Sequence, residues 1–382
     1  MRKRTVLFAL AVLLFCLPAL GEQPYAPWAG LKNNLEQAGA SQPGNYAVPY
    51  YLGLAYLQEG DRNSAIDQWE KYLRLAPEDF KSVSVRERLT VLKLDQAAEE
   101  ARRAVGMKTL ERKPVENSLA VFNFKNLSDP EFVPFTKALT MSIITDLAKV
   151  PQLVLLERIK VQALVTEMNL GATGIVDSET AARAGRFLLA QHITWGEVDT
   201  PRDAVRITAR VGQTLDSTNP TEVQAQGPQE TFFELEKQIV FGIIDALGLT
   251  KEKLSASVLK DLEKYHTRNF KAFMLFGKGL DYLDRKDFAE AKAAFEQAGR
   301  EDPDFGLSTS LEQSTPQAPL TVTGVDMAEE ETGVEEDTSP APAEAMVQSI
   351  VTETESAALE ISDVAQDQQE VTERGGSITV HW

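Results

Sequence analysis

One helical pattern, met twice in the chain, constrains the fold more than any other feature. Residues Asn45 to Asp79 read as two amphipathic helices joined by a turn at Glu59-Gly60-Asp61, and Pro77 closes the second helix. The same spacing returns 226 residues later. Gly53, Tyr56, Ala65 and Pro77 match Gly279, Tyr282, Ala291 and Pro303, with gaps of 3, 9 and 12 in both copies. Asp61 matches Asp287, and Trp69 matches Phe295. Each match has a packing reason: the glycine lets two helices approach, the tyrosine fills the gap between them, and the small alanine faces the first helix across the crossing. A hairpin of this size cannot bury both of its faces alone, so its flanks must supply cover. Ser84 to Ala104, with Val85, Leu89, Leu92 and Ala97, and Leu254 to Tyr265, with Val258, Leu259 and Leu262, are helix-favouring stretches suited to that role.

This pattern resembles the tetratricopeptide repeat, a helix–turn–helix unit of about 34 residues. The resemblance implies that the inner face of the first helix in each copy meets peptides or partner helices. Tyr50, Leu54 and Leu57 line that face in the first copy, and Phe276, Leu280 and Leu283 in the second. Burial of these six residues against neighbouring helices is an equal alternative, because short arrays must cover their own faces.

Between the two copies the periodicity changes. Ser118 to Phe124 is a β-favouring run ending in the turn-like Asn126-Leu127-Ser128-Asp129-Pro130. A helix with Phe132, Phe135, Leu139, Ile143 and Leu147 on one face follows, stopped by Val150-Pro151. Leu153 to Leu156 reads as an apolar strand, Val161 to Met168 as a helix, and Ser178 to Leu189 as another, N-capped by Ser178. His192 to Val198 and Val205 to Val211 read as strands. The latter alternates Val205, Ile207, Ala209 and Val211 against Arg206, Thr208 and Arg210, so one face is buried and the other wet. A weaker strand at Thr221 to Gln226 precedes a helix carrying Phe232, Leu235, Ile239, Ile243 and Leu247. The order βαβααβββα predicts a mixed sheet packed by helices.

Several of these runs resemble the CsgG-type family, the curli production assembly/transport component. They are Ala120-Val-Phe-Asn-Phe-Lys-Asn-Leu-Ser128, Ile144-Thr-Asp-Leu-Ala-Lys-Val-Pro-Gln-Leu-Val-Leu-Leu-Glu-Arg158, Ala181-Ala-Arg-Ala-Gly-Arg-Phe-Leu-Leu-Ala190, Trp195-Gly-Glu-Val198 and Val205-Arg-Ile-Thr-Ala-Arg210. The fold so implied is also similar to the amino-terminal domain of TolB and to LpoB-like activators of cell-wall synthases. Membership implies a non-enzymatic envelope protein that assembles or exports surface material. Pore-forming members insert membrane-spanning hairpins of about 9–11 residues per strand. Here the turn around Thr200-Pro201-Arg202 is short, and Thr221 to Glu230 lacks an alternating apolar face, which argues against a pore.

Arg2, Lys3 and Arg4, the apolar run Val6 to Leu20, and Ala19-Leu20-Gly21 before Glu22 form the pattern of a secretory signal peptide over residues 1–21. Phe15 before Cys16, the chain's one cysteine, argues against lipidation there. Localisation is expected to be exported, periplasmic or outer-membrane associated.

The net charge of −18 is local. Of 57 acidic and 39 basic residues, 17 acids and one base lie in Asp304 to Trp382, leaving 40 acids against 38 bases elsewhere. That balance excludes a nucleic-acid binder with a dominant basic face. The tail, rich in Pro, Ser, Thr, Gln and Glu, predicts disorder; Ser377-Ile-Thr-Val-His-Trp382 alternates like a strand suited to a partner's sheet edge, but a frayed end is the preferred reading. Phosphate-loop, dinucleotide, zinc-protease and nucleophile-elbow motifs are absent from the sequence, and its three histidines, His192, His266 and His381, are scattered. Gly171 and Gly174 read as a plain turn, and Trp195 as core.

The expected organisation is a signal peptide over 1–21, a helical module over 22–112, a CsgG-like α/β domain over 113–250, a second helical module over 251–303 and a disordered acidic tail over 304–382. The expected function is an envelope scaffold or adaptor with no cofactor, no metal and no catalytic residue, whose partners are envelope proteins or peptides. Homo-oligomers and a peripheral outer-membrane association fit the same reading. The alternative is an LpoB-like regulator of a cell-wall synthase or of envelope signalling.

Overall fold

A computed structural model describes residues 27–107, 112–170, 177–200, 204–216, 219–320 and 322. The signal peptide, the Gly171–Gly174 turn, Pro201 and Arg202 of the short turn, and the tail beyond 322, including Ser377–Trp382, lie outside the described residues. The described chain divides into two compact units, one ending at Pro77 and one over Glu78–Val322.

The first unit holds α1 (Pro27–Ser41), α2 (Ala47–Gln58) and α3 (Arg62–Leu75). Asp61 caps α3, its carboxylate accepting from the Ser64 backbone N–H at 3.1 Å. Gly53 is required where α2 meets α3: a Cβ there would lie 2.2 Å from Trp69 Nε1. The buried Trp69 indole in turn donates to the Tyr50 carbonyl at 3.1 Å.

The second unit is a mixed α/β body, as the order of strand and helix patterns predicts. Its strands are β1 (Val115–Val121), β2 (Lys125–Asn126), β3 (Val154–Leu155), β4 (Ala190–Asp199), β5 (Ala204–Gln213) and β6 (Thr221–Pro228). The order is β3-β1-β4-β5-β6, with β2 also pairing β4. β1 runs parallel to β3 and β4, whereas β4, β5 and β6 form an antiparallel meander. The expected single strand over 118–124 is interrupted after Val121. Pairing to β4 resumes at Lys125↔Glu197, so part of the expected turn is strand β2.

Helices α5 (Val133–Leu147) and α8 (Phe232–Ala246) cover one sheet face together with Leu119, Val121, Val205, Ile207 and Ala209. On the opposite face α6 (Arg158–Glu167) and α7 (Ser178–Leu188) pack over Ala120, Phe122, Ile193 and Trp195. Ala101 of α4 (Ser82–Gly106) joins this second core, so α4 belongs with the sheet and not with the helical module expected over 22–112.

After α9 (Ala256–Leu262) come α10 (Phe270–Asp284) and α11 (Phe288–Glu301). They share the sheet's main core through Phe273, Phe276, Leu280 and Phe295 and are in the same unit as the sheet. Gly279 repeats the role of Gly53, since a Cβ there would lie 2.4 Å from the Phe295 ring. The described helices also continue past Asp304, the expected start of the tail. Phe305 and the helix α12 (Gly306–Ser314) bury Leu307 and Leu311 in the same core.

Candidate functional site

The six residues expected to line partner grooves are all buried, which removes them as a free binding face. Tyr50 packs its ring on Tyr51 and Tyr72, at centroid distances of 5.1 and 5.4 Å, and Leu54 and Leu57 are buried in the same unit. Phe276 packs on Phe295 at 5.7 Å and on Phe305 at 4.9 Å, and Leu280 and Leu283 lie in the same core. The cover over α10 comes from α5, α11 and the segment at Phe305, inside the span expected to be tail.

Two buried ionic clusters hold this arrangement. In the first, Asp146 near the end of α5 is fully buried among Lys237 of α8, Lys149 and His266. Lys149 Nζ lies 2.6 Å from Asp146 Oδ1 and also donates to the Asp261 carbonyl at 3.0 Å. His266 Nε2 lies 2.9 Å from the same carboxylate oxygen. Burial pushes the Asp146 carboxyl up, but His266, Lys237 and Lys149 outweigh it and hold the group well below the usual carboxylate range. Glu236 shows the opposite balance. Burial, with the Asp146 charge beside it, pushes its carboxyl up to about 8 against the opposing pull of Lys237.

In the second cluster Asp284, near the end of α10, accepts from Arg158 Nη2 at 2.7 Å and from Lys137 Nζ at 2.6 Å. Lys137 also lies 2.9 Å from Asp281 Oδ1. Burial raises the Asp284 carboxyl, and the two cations more than reverse that. Both clusters tie α5 to the chain that follows the sheet. In each, a buried carboxylate is held by cations from other elements.

The accessible surface of interest is the sheet face not covered over β5 and β6. The strand register aligns Trp195, Arg210 and Glu222 in one row, Glu197, Thr208 and Gln224 in the next, and Asp199, Arg206 and Gln226 in a third; Trp195 and Thr208 are buried, and the other seven side chains reach the surface. Arg210 Nη2 lies 3.1 Å from Glu197 Oε1 and 3.3 Å from Glu222 Oε2. Arg206 lies 3.6 Å from Asp199 Oδ2 and donates to Gln226 Oε1 at 3.0 Å. Both arginines remain partly exposed. Such a lattice of alternating charges and amides suits protein or peptide recognition by hydrogen bonds and ion pairs.

His192, one of the three scattered histidines, is half-buried. Burial lowers its pKa, and its Nδ1 has no hydrogen-bond partner. Trp195 is core, as expected. Among the described residues there is no group of three or more His, Cys, Asp or Glu placed to hold a metal ion, and no helix long and apolar enough to cross a membrane.

Sequence reasoning identified the two partly exposed arginines of β5, but Thr208 between them is buried, and both ionic clusters were missed. The available signal was a charged residue set among apolar neighbours, as in Ser-Ile-Ile-Thr-Asp-Leu around Asp146 and Phe-Phe-Glu-Leu-Glu-Lys-Gln-Ile-Val around Glu236 and Lys237.

No protein-family model matches the chain, and no curated protein and no solved structure matches it. What fold and site define is a mixed α/β protein with an exposed, charged antiparallel sheet face.

Proposed function

We propose that this chain is a non-enzymatic scaffold or adaptor of the cell envelope that binds partner proteins through the open face of β4, β5 and β6. The observation that carries the reading is the ladder Glu197, Asp199, Arg206, Arg210, Glu222, Gln224 and Gln226, displayed on a body whose buried charges are paired between helices. The face offers exposed hydrogen-bonding and charged groups on a rigid sheet. The envelope assignment rests on the signal-peptide pattern and on the CsgG-type resemblance. The equal glycine–aromatic contacts at Gly53–Trp69 and Gly279–Phe295 favour a shared tetratricopeptide-type origin for the two hairpins. Only residues 200–203 separate β4 from β5 and only 214–220 separate β5 from β6. Neither interval holds a hairpin of two strands of about 9–11 residues, which disfavours an export pore.

Fractionation and crosslinking test the reading together. The full chain, expressed in its own cells with a photoreactive side chain at position 206 or 222, should be recovered from the envelope with its leader removed. It should crosslink to components that assemble or export surface material. Capture of a peptidoglycan synthase would move the protein to the regulator class, and recovery in the cytosol would overturn the envelope reading.

A further inference from the structure

The sheet has two edges. β3 is two residues long, whereas β6 is eight and, among the described residues, pairs with β5 alone. Most of β6 is exposed, and it carries no lysine or arginine and no interior proline. Only Glu222 and the terminal Pro228 guard it. An open edge of that length is a template for another strand. We propose that β6 docks on β6 of a second copy of this chain, antiparallel about a two-fold axis at Gln224, running two sheets into one.

The register follows from the alternation of the two faces. Val223 points toward α8, where a Cβ on Gly242 would lie 2.2 Å from it, and Ala225 belongs to the core on that side. Glu222, Gln224 and Gln226 point to the open face. A two-fold perpendicular to the sheet keeps each face on its own side, so opposed residues must share parity. With the axis at Gln224, Val223 meets Ala225 of the second copy on the helix side, apolar on apolar. On the open side Gln224 meets the second copy's Gln224, and Gln226 meets the second copy's Glu222. No like charges face each other.

The row through Arg206 then continues as Asp199, Arg206, Gln226, the second copy's Glu222 and the second copy's Arg210, so the charges along it alternate in sign. Arg206 and the second copy's Glu222 are two strand spacings apart, about 10 Å between backbones, which their side chains span. Helix α8 rests on both β5 and β6. Two such helices would lie about 10 Å apart across the axis, the separation at which helices pack.

Sedimentation of the full chain should show a reversible, concentration-dependent dimer. In a Cys16→Ser background, Gln224→Cys should oxidise to a covalent dimer far faster than Gln213→Cys, which sits exposed at the end of β5, because the two-fold brings Cβ atoms to roughly 5 Å. Glu222→Arg should weaken the dimer roughly tenfold, since the altered pair occurs twice. Adding Arg206→Glu to that variant should restore it. The proposal fails if the chain is monomeric at every concentration, if Gln224→Cys crosslinks no faster than the control, or if the double charge reversal gives no rescue. It fails equally if the β6 amides that point away from β5 are protected from exchange in a monomer, which would place another segment of the same chain on the edge.

Discussion

Replacing Glu236 by glutamine isolates what a single buried carboxyl does to the pH dependence of folding. Its folded pKa of about 8 lies above the unfolded value of 4.5, so the native state holds the proton more tightly. The stability this contributes is complete below about pH 4.5, declines between 4.5 and 8, and is gone above 8. Asp146 has the opposite sign: its depressed pKa contributes stability above the unfolded value of 3.8, lost as pH falls below it. Glu236→Gln keeps the shape and an N–H donor toward Asp146. Denaturant titrations at pH 5 and 9 should show the wild type losing stability, on the order of a few kcal/mol, and the variant losing much less. Equal losses would mean that Glu236 is ionised in the folded state. At the second cluster, Asp284→Asn leaves Arg158 and Lys137 without their buried counter-charge and should cost about 3–5 kcal/mol. Asp281→Asn, at a partly exposed carboxylate, should cost about 1 kcal/mol or less in the same urea titration. None of these residues was singled out from sequence. Asp146, Lys237 and His266 lie far apart along the chain, and no spacing rule links residues that only tertiary packing brings together.

At the scale of elements, α10 is fixed by how closely it lies on α5. A Cβ at Gly277 would fall 1.8 Å from the Pro134 carbonyl oxygen, a backbone atom that cannot swing aside. Gly277→Ala should therefore push the helices apart and cost at least about 1–3 kcal/mol. Gly299→Ala in α11 meets nothing closer than 3.9 Å and should be neutral or gain up to about 1 kcal/mol from helix propensity. Thermal melts of the two variants check this, and equal melting temperatures would contradict the close approach. Most elements were legible because periodicity is a local property. The alternation at Val205–Val211 gave β5 and its two partly exposed arginines, and the apolar stripe from Phe232 to Leu247 gave α8. Where α10 packs was not legible. The stripe Phe276, Leu280 and Leu283 fits a peptide groove and a buried seam equally well, and only the arrival of α5 and Phe305 decides between them.

At the scale of the whole molecule, the folded core extends further along the chain than its charge pattern places it. Charge and composition averaged over Asp304 to Trp382 place the boundary at Pro303, because 17 acids outweigh the few apolar residues at the start of that span. The structure instead seats Phe305, Leu307 and Leu311 in the main core, and Ser308 Oγ donates to the Phe295 carbonyl at 2.7 Å. α12 also touches α4, so it ties the helix that begins the unit to the hairpin near its end. A chain stopped after Pro303 gives up three buried apolar side chains, each worth about 1.5–3 kcal/mol, and uncovers Phe276 and Phe295. A chain stopped after Val322 loses none of them. The longer truncate should melt with the full chain, and the shorter should melt well below it or aggregate through the uncovered aromatic surface. If the two truncates melt together, α12 adds nothing to the body, and the tail begins where the charge does.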